Sequence, residues 1–212
     1  MMESSRLASY LASRIFHDLV SPLTAIINGE ELAFDASMGP AIRAEGEKLI
    51  RDGLNGLNSK IQFLRYALGS QAVNDDWADV NLARDLFEKL FASHKASLLW
   101  KVETRNLTNR QMRLLMNMAL VGMEPAAKNA SVLVAAREEG ATIVLEVAAS
   151  GVAALKKDAE DAMAGREPDR GWSGGAIQPL FTRMLADEIG FSLQGRTGEA
   201  GAGLIAKGLR AA

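Results

Sequence analysis

His17 is the residue of this chain best suited to reversible covalent chemistry. It is one of only two histidines, and it lies in the segment 16–23, FHDLVSPL. A carboxylate follows at once, at Asp18, and a hydroxyl follows four residues after the histidine, at Ser21. A histidine side chain ordinarily titrates near pH 6.5, so it offers a neutral nitrogen nucleophile near pH 7. This spacing suits a surface imidazole that accepts and returns a phosphoryl group.

The neighbours of His17 can serve that chemistry. Asp18 can hydrogen-bond the second ring nitrogen, which fixes the tautomer and raises the basicity of the ring. Ser21 lies one turn along the same helix face and can donate to a phosphoryl oxygen. The plainer alternative is that His17 is only a solvated surface side chain. If the site is real, a partner protein would dock along the residues that continue this surface: Val20, Thr24, Ile27, Asn28 and Glu31.

Two long helices are predicted to position this site. From Ser5 to about Phe34, apolar residues recur at steps of three and four, and His17 lies off that stripe. A turn follows at 35–40, and Pro40 is expected near the first position of the next helix. That second helix is predicted from Ala41 to Leu68, with Gly69-Ser70 ending it.

Glycines on or near the apolar stripe of the second helix predict a close helix contact. They are Gly46, Gly53 and Gly56, and each costs a helix about 1 kcal/mol relative to alanine. Two antiparallel helices alone cannot bury their apolar stripes. Pairing with a second copy would give a four-helix bundle with two-fold symmetry, so we predict a homodimer. The alternative is that the hairpin packs on the second half of its own chain.

The second half predicts an α+β sandwich, a mixed sheet covered by helices on one side. Helices are expected over 81–91, 108–123, 152–164 and 176–189, and strands over 97–104, 132–136, 142–147, 191–196 and 203–209. Thr108 and Gln111 have the spacing of a capping box, and 137–141 reads as a hairpin turn containing Gly140. Pro179 is expected in the first turn of its helix, after a polar loop over 165–175. The chain thus divides into a hairpin, 1–74, and a sandwich, 75–212.

Composition narrows the function further. The net charge of -2 gives no basic excess for nucleic acid, and the absence of cysteine excludes disulfides and thiolate metal sites. We interpret His94, which follows an apolar helix, as a helix C-terminal cation. His17 and His94 fall in different predicted domains, so no metal site is expected. The N-terminus lacks the pattern of a secretory signal, and the apolar stretch 114–123 is too short for a membrane span. These features predict a cytoplasmic protein that binds neither membrane nor nucleic acid.

The segment HDLVSPL resembles the H-box of two-component histidine kinases, and the hairpin resembles their dimerisation and phosphotransfer domain. The stretches 13–31 and 174–180 are similar to the ChpT-type histidine phosphotransferases, whose length and layout match nearly the whole chain. The resemblance implies a homodimeric histidine phosphotransferase in a bacterial phosphorelay. Its partners would be the receiver domain of a hybrid histidine kinase and downstream response regulators. It would need no cofactor of its own, because the receiver would supply Mg²⁺.

The resemblance also implies a GHKL-type ATP-binding fold for residues 78–212, yet the positions that would hold ATP have changed. Asn117 matches the first asparagine of the metal-binding helix, but the metal-holding asparagine falls at Gly122. Ala149 stands where the adenine-reading aspartate belongs, and the phosphate-binding lid is reduced to 171–175, GWSGG. We therefore predict a phosphoryl carrier and not an ATP-dependent kinase. Two alternatives stay open: an active histidine kinase, and a non-catalytic adaptor that uses the kinase fold.

Overall fold

Two long helices form an antiparallel hairpin at the N-terminal end, as the sequence predicts. The computed structural model describes residues 2–69, 74–172, 174–199 and 201–210. Helix α1 spans Ser4–Phe34 and α2 spans Pro40–Leu68. Pro40 is the first residue of α2, where its missing N–H breaks no helix bond. The Gly69 N–H ends α2 by donating to the Arg65 carbonyl at 3.1 Å, while Ser70 lies outside the described residues.

The two helices approach most closely where each lacks a side chain. A Cβ built on Gly46 would lie 2.7 Å from the carbonyl oxygen of Gly29 on α1. A Cβ on Gly53 would lie 2.7 Å from a side-chain carbon of α1. The predicted close contact is therefore confirmed at Gly46 and Gly53. Gly56 has no such need, because a Cβ there would meet its nearest neighbour at 3.6 Å, an ordinary contact.

The second half is a mixed five-stranded sheet with helices. Its elements are α3 Val80–Ala92, β1 Ser97–Val102, α4 Asn109–Gly122, β2 Ser131–Glu139, β3 Thr142–Ala149, α5 Lys157–Met163, α6 Gly174–Glu188, β4 Ser192–Gly198 and β5 Gly201–Leu209. The strand order is β1-β2-β3-β5-β4, in which β1 and β2 are parallel and the other pairs are antiparallel. On β3, Ile143, Leu145 and Val147 are fully buried in a core shared with α3, α4 and α6. This confirms the predicted α+β sandwich.

The structure corrects several predicted boundaries. Of the helix expected over 152–164, only Lys157–Met163 is helical, and the Val152 carbonyl accepts a hydrogen bond from the N–H of Ala202 on β5 at 2.8 Å instead of from a helical N–H. Helix α6 begins at Gly174, so Pro179 is its sixth residue and not in its first turn. The β2–β3 turn is shorter than expected, since only Gly140, at φ +64°, and its neighbour separate the strands.

The capping box is confirmed: the N–H of Gln111 donates to the Thr108 hydroxyl at 3.3 Å, and the N–H of Thr108 donates back to the Gln111 side chain at 3.0 Å.

The open end of the hairpin, opposite the turn at 35–40, packs on the sandwich. Phe63 and Ala67, near the end of α2, are fully buried in the main core. Asn117 of α4 donates through Nδ2 to the Ala67 carbonyl at 2.7 Å. The predicted alternative, packing on the chain's own second half, therefore holds at this end of the hairpin. At the start of α1, Leu7, Tyr10 and Leu11 pack on a small core formed by Ala162, Ala176, Ile177 and Leu180.

No helix among the described residues combines the length and the hydropathy needed to cross a bilayer.

Candidate functional site

His17 lies on the open side of α1, with 85% of its side chain exposed. Its ring Nδ1 is 3.4 Å from Oδ1 of Asp18. That separation is longer than the usual 2.7–3.2 Å of an N–H···O hydrogen bond. Because Nδ1 faces the carboxylate, Nε2 is the ring nitrogen left for an approaching group.

Asp18 is held by a cation on the preceding helical turn. Arg14 Nε donates to Asp18 Oδ2 at 3.1 Å, and only 18% of the Arg14 side chain and 19% of the Asp18 side chain are exposed. One carboxylate oxygen thus binds the guanidinium while the other faces the imidazole of His17. Sequence reasoning missed Arg14, although its i,i+4 spacing from Asp18 is the usual spacing of a helical ion pair.

Arg14 also connects the hairpin to the sandwich. Its Nη1 lies 3.4 Å from Oε2 of Glu124, which follows the end of α4. The other oxygen of Glu124, Oε1, accepts from Lys156 Nζ at 3.0 Å. No spacing in the sequence reveals this pairing, because 110 residues separate Arg14 from Glu124.

A lysine of α2 replaces the backbone hydrogen bond that Pro22 removes from α1. In a regular helix the N–H of residue 22 would donate to the carbonyl of Asp18, and proline has no N–H. Lys60 Nζ donates to that carbonyl at 3.1 Å. The ammonium therefore satisfies the orphan acceptor one residue after His17.

The remaining predicted site residues share the exposed surface of α1. Ser21 lies one turn after His17 and lines a groove between the hairpin and α3 with a volume of about 660 Å³. The Thr24 hydroxyl is turned back to the helix, donating to the Val20 carbonyl at 2.9 Å. The structure thus brings all these side chains to one accessible surface; exposed with His17 and Ser21 are Val20, Thr24, Ile27, Asn28 and Glu31.

An apolar stripe runs beside the His17 face of α1. Its members recur at steps of three, four and seven, and each leaves 47% or more of its surface exposed. Sequence reasoning found two of them as docking residues but missed the continuity of the stripe. We call this set the apolar stripe of α1: Phe16, Val20, Leu23, Ile27 and Phe34.

The positions that the resemblance assigns to an ATP site make contacts within the protein. Asn117 is fully buried; besides its bond to α2, its Oδ1 accepts from Gln178 Nε2 at 2.8 Å. A Cβ on Gly122 would lie 2.5 Å from Cγ1 of Val147, so no longer side chain fits there without a shift. Ala149 is fully buried and offers no carboxylate. Residue 173 of the reduced lid lies outside the described residues.

His94 is half-buried at the end of α3 and corrects one prediction. Burial lowers the pKa of His94 below its ordinary value, and the nearby cations Lys95 and Lys60 lower it further. Its Nδ1 accepts a hydrogen bond from the N–H of Ala96 at 3.1 Å. This geometry contradicts the interpretation of His94 as a helix C-terminal cation, because an Nδ1 that accepts a hydrogen bond from a backbone N–H carries no proton.

Within the described ranges, no group of three or more His, Asp or Glu side chains comes together in a way that could hold a metal ion.

A helical hairpin followed by this sandwich is the fold of histidine kinase catalytic domains. The catalytic domain of the histidine kinase ThkA, in a nucleotide-free form, superposes with a TM-score of 0.50 at 16% identity, covering 65% of this chain and 97% of that one. A model of the family "Histidine phosphotransferase C-terminal domain" matches residues 80–201. The chain belongs to this histidine phosphotransferase family.

Two further proteins resemble the chain over nearly its whole length. The protein phosphotransferase ChpT of Brucella abortus (strain 2308) is 28% identical over 191 residues, which cover 88% of each chain. A bacterial phosphotransferase solved at 1.7 Å superposes with a TM-score of 0.77 at 24% identity, covering 98% of this chain and 97% of that one.

Proposed function

We propose that this phosphotransferase carries phosphoryl groups on His17 in a phosphorelay, between the receiver domain of a hybrid histidine kinase and response regulators. The observation that carries the proposal is the orientation of one ring. The imidazole of His17 is 85% exposed, and its Nδ1 faces Asp18, so Nε2 is accessible to a visiting protein.

The proposed step is an in-line displacement at phosphorus. The Nε2 lone pair attacks the acyl phosphate of a receiver aspartate; the Nε2–P bond forms and the P–O bond to the aspartate breaks, which releases the carboxylate. The Nδ1 proton stays in place, so the phosphorylated ring carries a positive charge that the Asp18 carboxylate stabilises. Ser21 can donate to a phosphoryl oxygen. The receiver brings its own Mg²⁺, and the same step run backwards returns the phosphoryl group.

We propose that the sandwich transfers no phosphate from ATP. Asn117 is already engaged by α2 and by Gln178. Gly122 packs against Val147 and provides no metal ligand. Ala149 provides no acceptor for an adenine amine. Each of these three observations removes one group on which ATP chemistry in the kinase fold depends.

We propose that the occupant of the apolar stripe of α1 is a second copy of the chain. A row of large apolar side chains this long on the uncovered face of a helix is a typical association surface. Pairing two hairpins would bury it in a four-helix bundle that leaves both His17 faces outside. The receiver domain would then dock on the polar side of α1, at Thr24, Asn28 and Glu31, with Val20 and Ile27 at its margin. We also propose that the chain divides into two domains after residue 74, the hairpin and the sandwich.

Replacing each of the two histidines tests the function, because the chain has only two. A receiver domain phosphorylated with acetyl phosphate is mixed with the wild-type protein, His17→Gln or His94→Gln, and the label on this chain is measured. We expect transfer to the wild type and to His94→Gln, and none to His17→Gln. Continued transfer to His17→Gln would exclude the phosphohistidine route and favour the adaptor.

A second arm separates the carrier from an active kinase. The wild-type protein is incubated with labelled ATP and Mg²⁺ in the absence of any receiver. We expect no label on His17. Labelling of the wild type but not of His17→Gln would establish an active kinase instead.

A further inference from the structure

We propose that Glu124 is a positioning residue for phosphotransfer: acting through Arg14 and Asp18, this carboxylate of the sandwich orients the imidazole of His17 on the hairpin. The proposal rests on the proposed function of His17 and adds a group from the other half of the chain.

Four charged side chains of alternating sign lead from the sandwich to the imidazole of His17. Lys156 Nζ binds Glu124 Oε1 at 3.0 Å, and Glu124 Oε2 lies 3.4 Å from Arg14 Nη1. Arg14 Nε binds Asp18 Oδ2 at 3.1 Å, and Asp18 Oδ1 lies 3.4 Å from Nδ1 of His17. One planar guanidinium therefore bridges two carboxylates through two different nitrogens, a geometry that lysine could not provide.

Partial burial gives these contacts weight that surface ion pairs lack. The side chains of Arg14, Asp18 and Glu124 are exposed by only 18%, 19% and 29%. Pairs at such sites are screened by salt less than fully exposed pairs are. Arg14 and Glu124 also line, with His17, one cavity of about 380 Å³; its lining is Tyr10, Ser13, Arg14, His17, Glu124 and Gly175.

Glu124 restricts where Arg14 can lie. An arginine on a helix surface has many rotamers, and an i,i+4 ion pair is a weak constraint on which of them it adopts. Glu124 is fixed to the sandwich, one residue beyond the C-cap of α4, and is itself bound by Lys156. It therefore fixes Arg14 at Oδ2 of Asp18 and leaves Oδ1 directed at the imidazole of His17.

The consequence for His17 is a choice of tautomer. A carboxylate oxygen aimed at Nδ1 favours the proton on Nδ1 and leaves the lone pair on Nε2, the atom that attacks phosphorus. The Nδ1···Oδ1 separation of 3.4 Å is already long, so a small rotation of Asp18 would break the contact. Losing Glu124 should then move the ring toward the Nε2–H tautomer, which has no lone pair at the reacting position.

A matched pair of variants tests the proposal. Glu124→Gln removes a carboxylate that binds one arginine and one lysine. Glu139→Gln, at the end of β2, removes a carboxylate with the same kinds of partner. Glu139 binds Arg137 at 2.8 Å and Lys207 at 3.6 Å. The ring ¹⁵N chemical shifts of His17, recorded on the whole protein, report which nitrogen carries the proton in the neutral ring. We expect the Nδ1–H tautomer to fall in Glu124→Gln and to be unchanged in Glu139→Gln.

The rate of phosphorylation supplies the second readout, with phosphoramidate as the probe. His17 Nε2 attacks its phosphorus, the P–N bond breaks, and ammonia leaves with the electron pair. We expect Glu124→Gln to slow labelling of His17 about 3- to 10-fold and Glu139→Gln to leave it unchanged. Because Glu124 acts through Arg14, the double variant with Arg14→Gln should be no slower than Arg14→Gln alone.

Three results would overturn the positioning role: unchanged tautomer populations in Glu124→Gln, an unchanged rate, or additive effects of the two substitutions. Transfer from a phosphorylated receiver, run in parallel, separates this failure from failure of the proposed function. If the receiver labels the wild type and Glu124→Gln equally, only the role of Glu124 is lost. If it does not label the wild type at all, the role of His17 fails as well.

Discussion

Replacing Lys60 with methionine removes the ammonium that binds the orphan carbonyl of Asp18, and the cost should depend on Pro22. Methionine keeps the length and the helix propensity of lysine, so the change isolates the charged donor. Lys60 is half-buried and donates at 3.1 Å. A hydrogen bond from a charged donor contributes about 1.5–3 kcal/mol, and solvent screening at this depth lowers that to about 1–2 kcal/mol.

The same substitution in a Pro22→Ala background should cost much less. Alanine restores an N–H four residues after Asp18, and this N–H can donate to the Asp18 carbonyl as in a regular helix. Lys60→Met should then reduce stability by less than about 0.5 kcal/mol. The two substitutions should therefore show a coupling free energy of about 1 kcal/mol in a double-mutant cycle.

Urea unfolding of the four proteins measures this coupling. One fixed protein concentration keeps the effect of the proposed dimerisation the same in all four. Lys48→Met on the same helix is the matched control, because Lys48 is exposed and its ion pair with Glu45, at 3.9 Å, is weak. It should change stability by less than about 0.5 kcal/mol in either background. An equal cost of Lys60→Met with and without Pro22 would refute the assignment of Lys60 to the orphan carbonyl.

Four further substitutions have outcomes that follow from the structure. Gly46→Ala should destabilise the fold by about 2–4 kcal/mol, because its Cβ would lie 2.7 Å from a backbone oxygen. Gly56→Ala, whose Cβ would meet its nearest neighbour at 3.6 Å, should stabilise it by about 0.5–1 kcal/mol. Urea unfolding compares the two variants, and stability changes of the same sign would contradict the close contact at Gly46. Burial lowers the folded-state pKa of His94, so the unfolded state binds more protons and stability falls as the pH drops below 6.5. Between pH 5 and 8, the free energy of unfolding should change less steeply with pH in His94→Gln than in the wild type. An identical dependence on pH would argue against a neutral, half-buried ring. Asn117→Ala leaves the Gln178 amide without its buried acceptor and removes one of two donors to the Ala67 carbonyl, which keeps Arg113 Nε at 3.1 Å. It should cost about 1–3 kcal/mol in urea unfolding, while a cost below about 0.5 kcal/mol would show that water replaces the amide.

The helices and strands that local patterns specify could be predicted from the sequence. The 3.6-residue periodicity of α1 and α2, the Thr108–Gln111 box and the strand pair around Gly140 all act within short stretches of chain. The helix predicted over 152–164 is confirmed only over Lys157–Met163; at its expected start, the Val152 carbonyl bonds to Ala202, a long-range contact that local helix propensity does not reveal.

The site shows the same limit. His17, Asp18 and Ser21 are neighbours in sequence and could be found by spacing. Lys60 and Glu124 could not, because each reaches the site from an element that only the folded chain brings near. The exposure of the apolar stripe of α1 was also hidden, since periodicity marks an apolar face but not what covers it.

Locating the phosphoryl group on the chain tests the central claim most directly. Trypsin releases His17 on the peptide 15–43 and His94 on the peptide 90–95, so the two histidines separate cleanly. The protein is labelled by a phosphorylated receiver domain, digested at neutral to alkaline pH and analysed by mass spectrometry. We predict phosphohistidine at His17 in peptide 15–43 and none in peptide 90–95. Phosphate on His94, or on neither peptide while the receiver loses its own, would contradict the account.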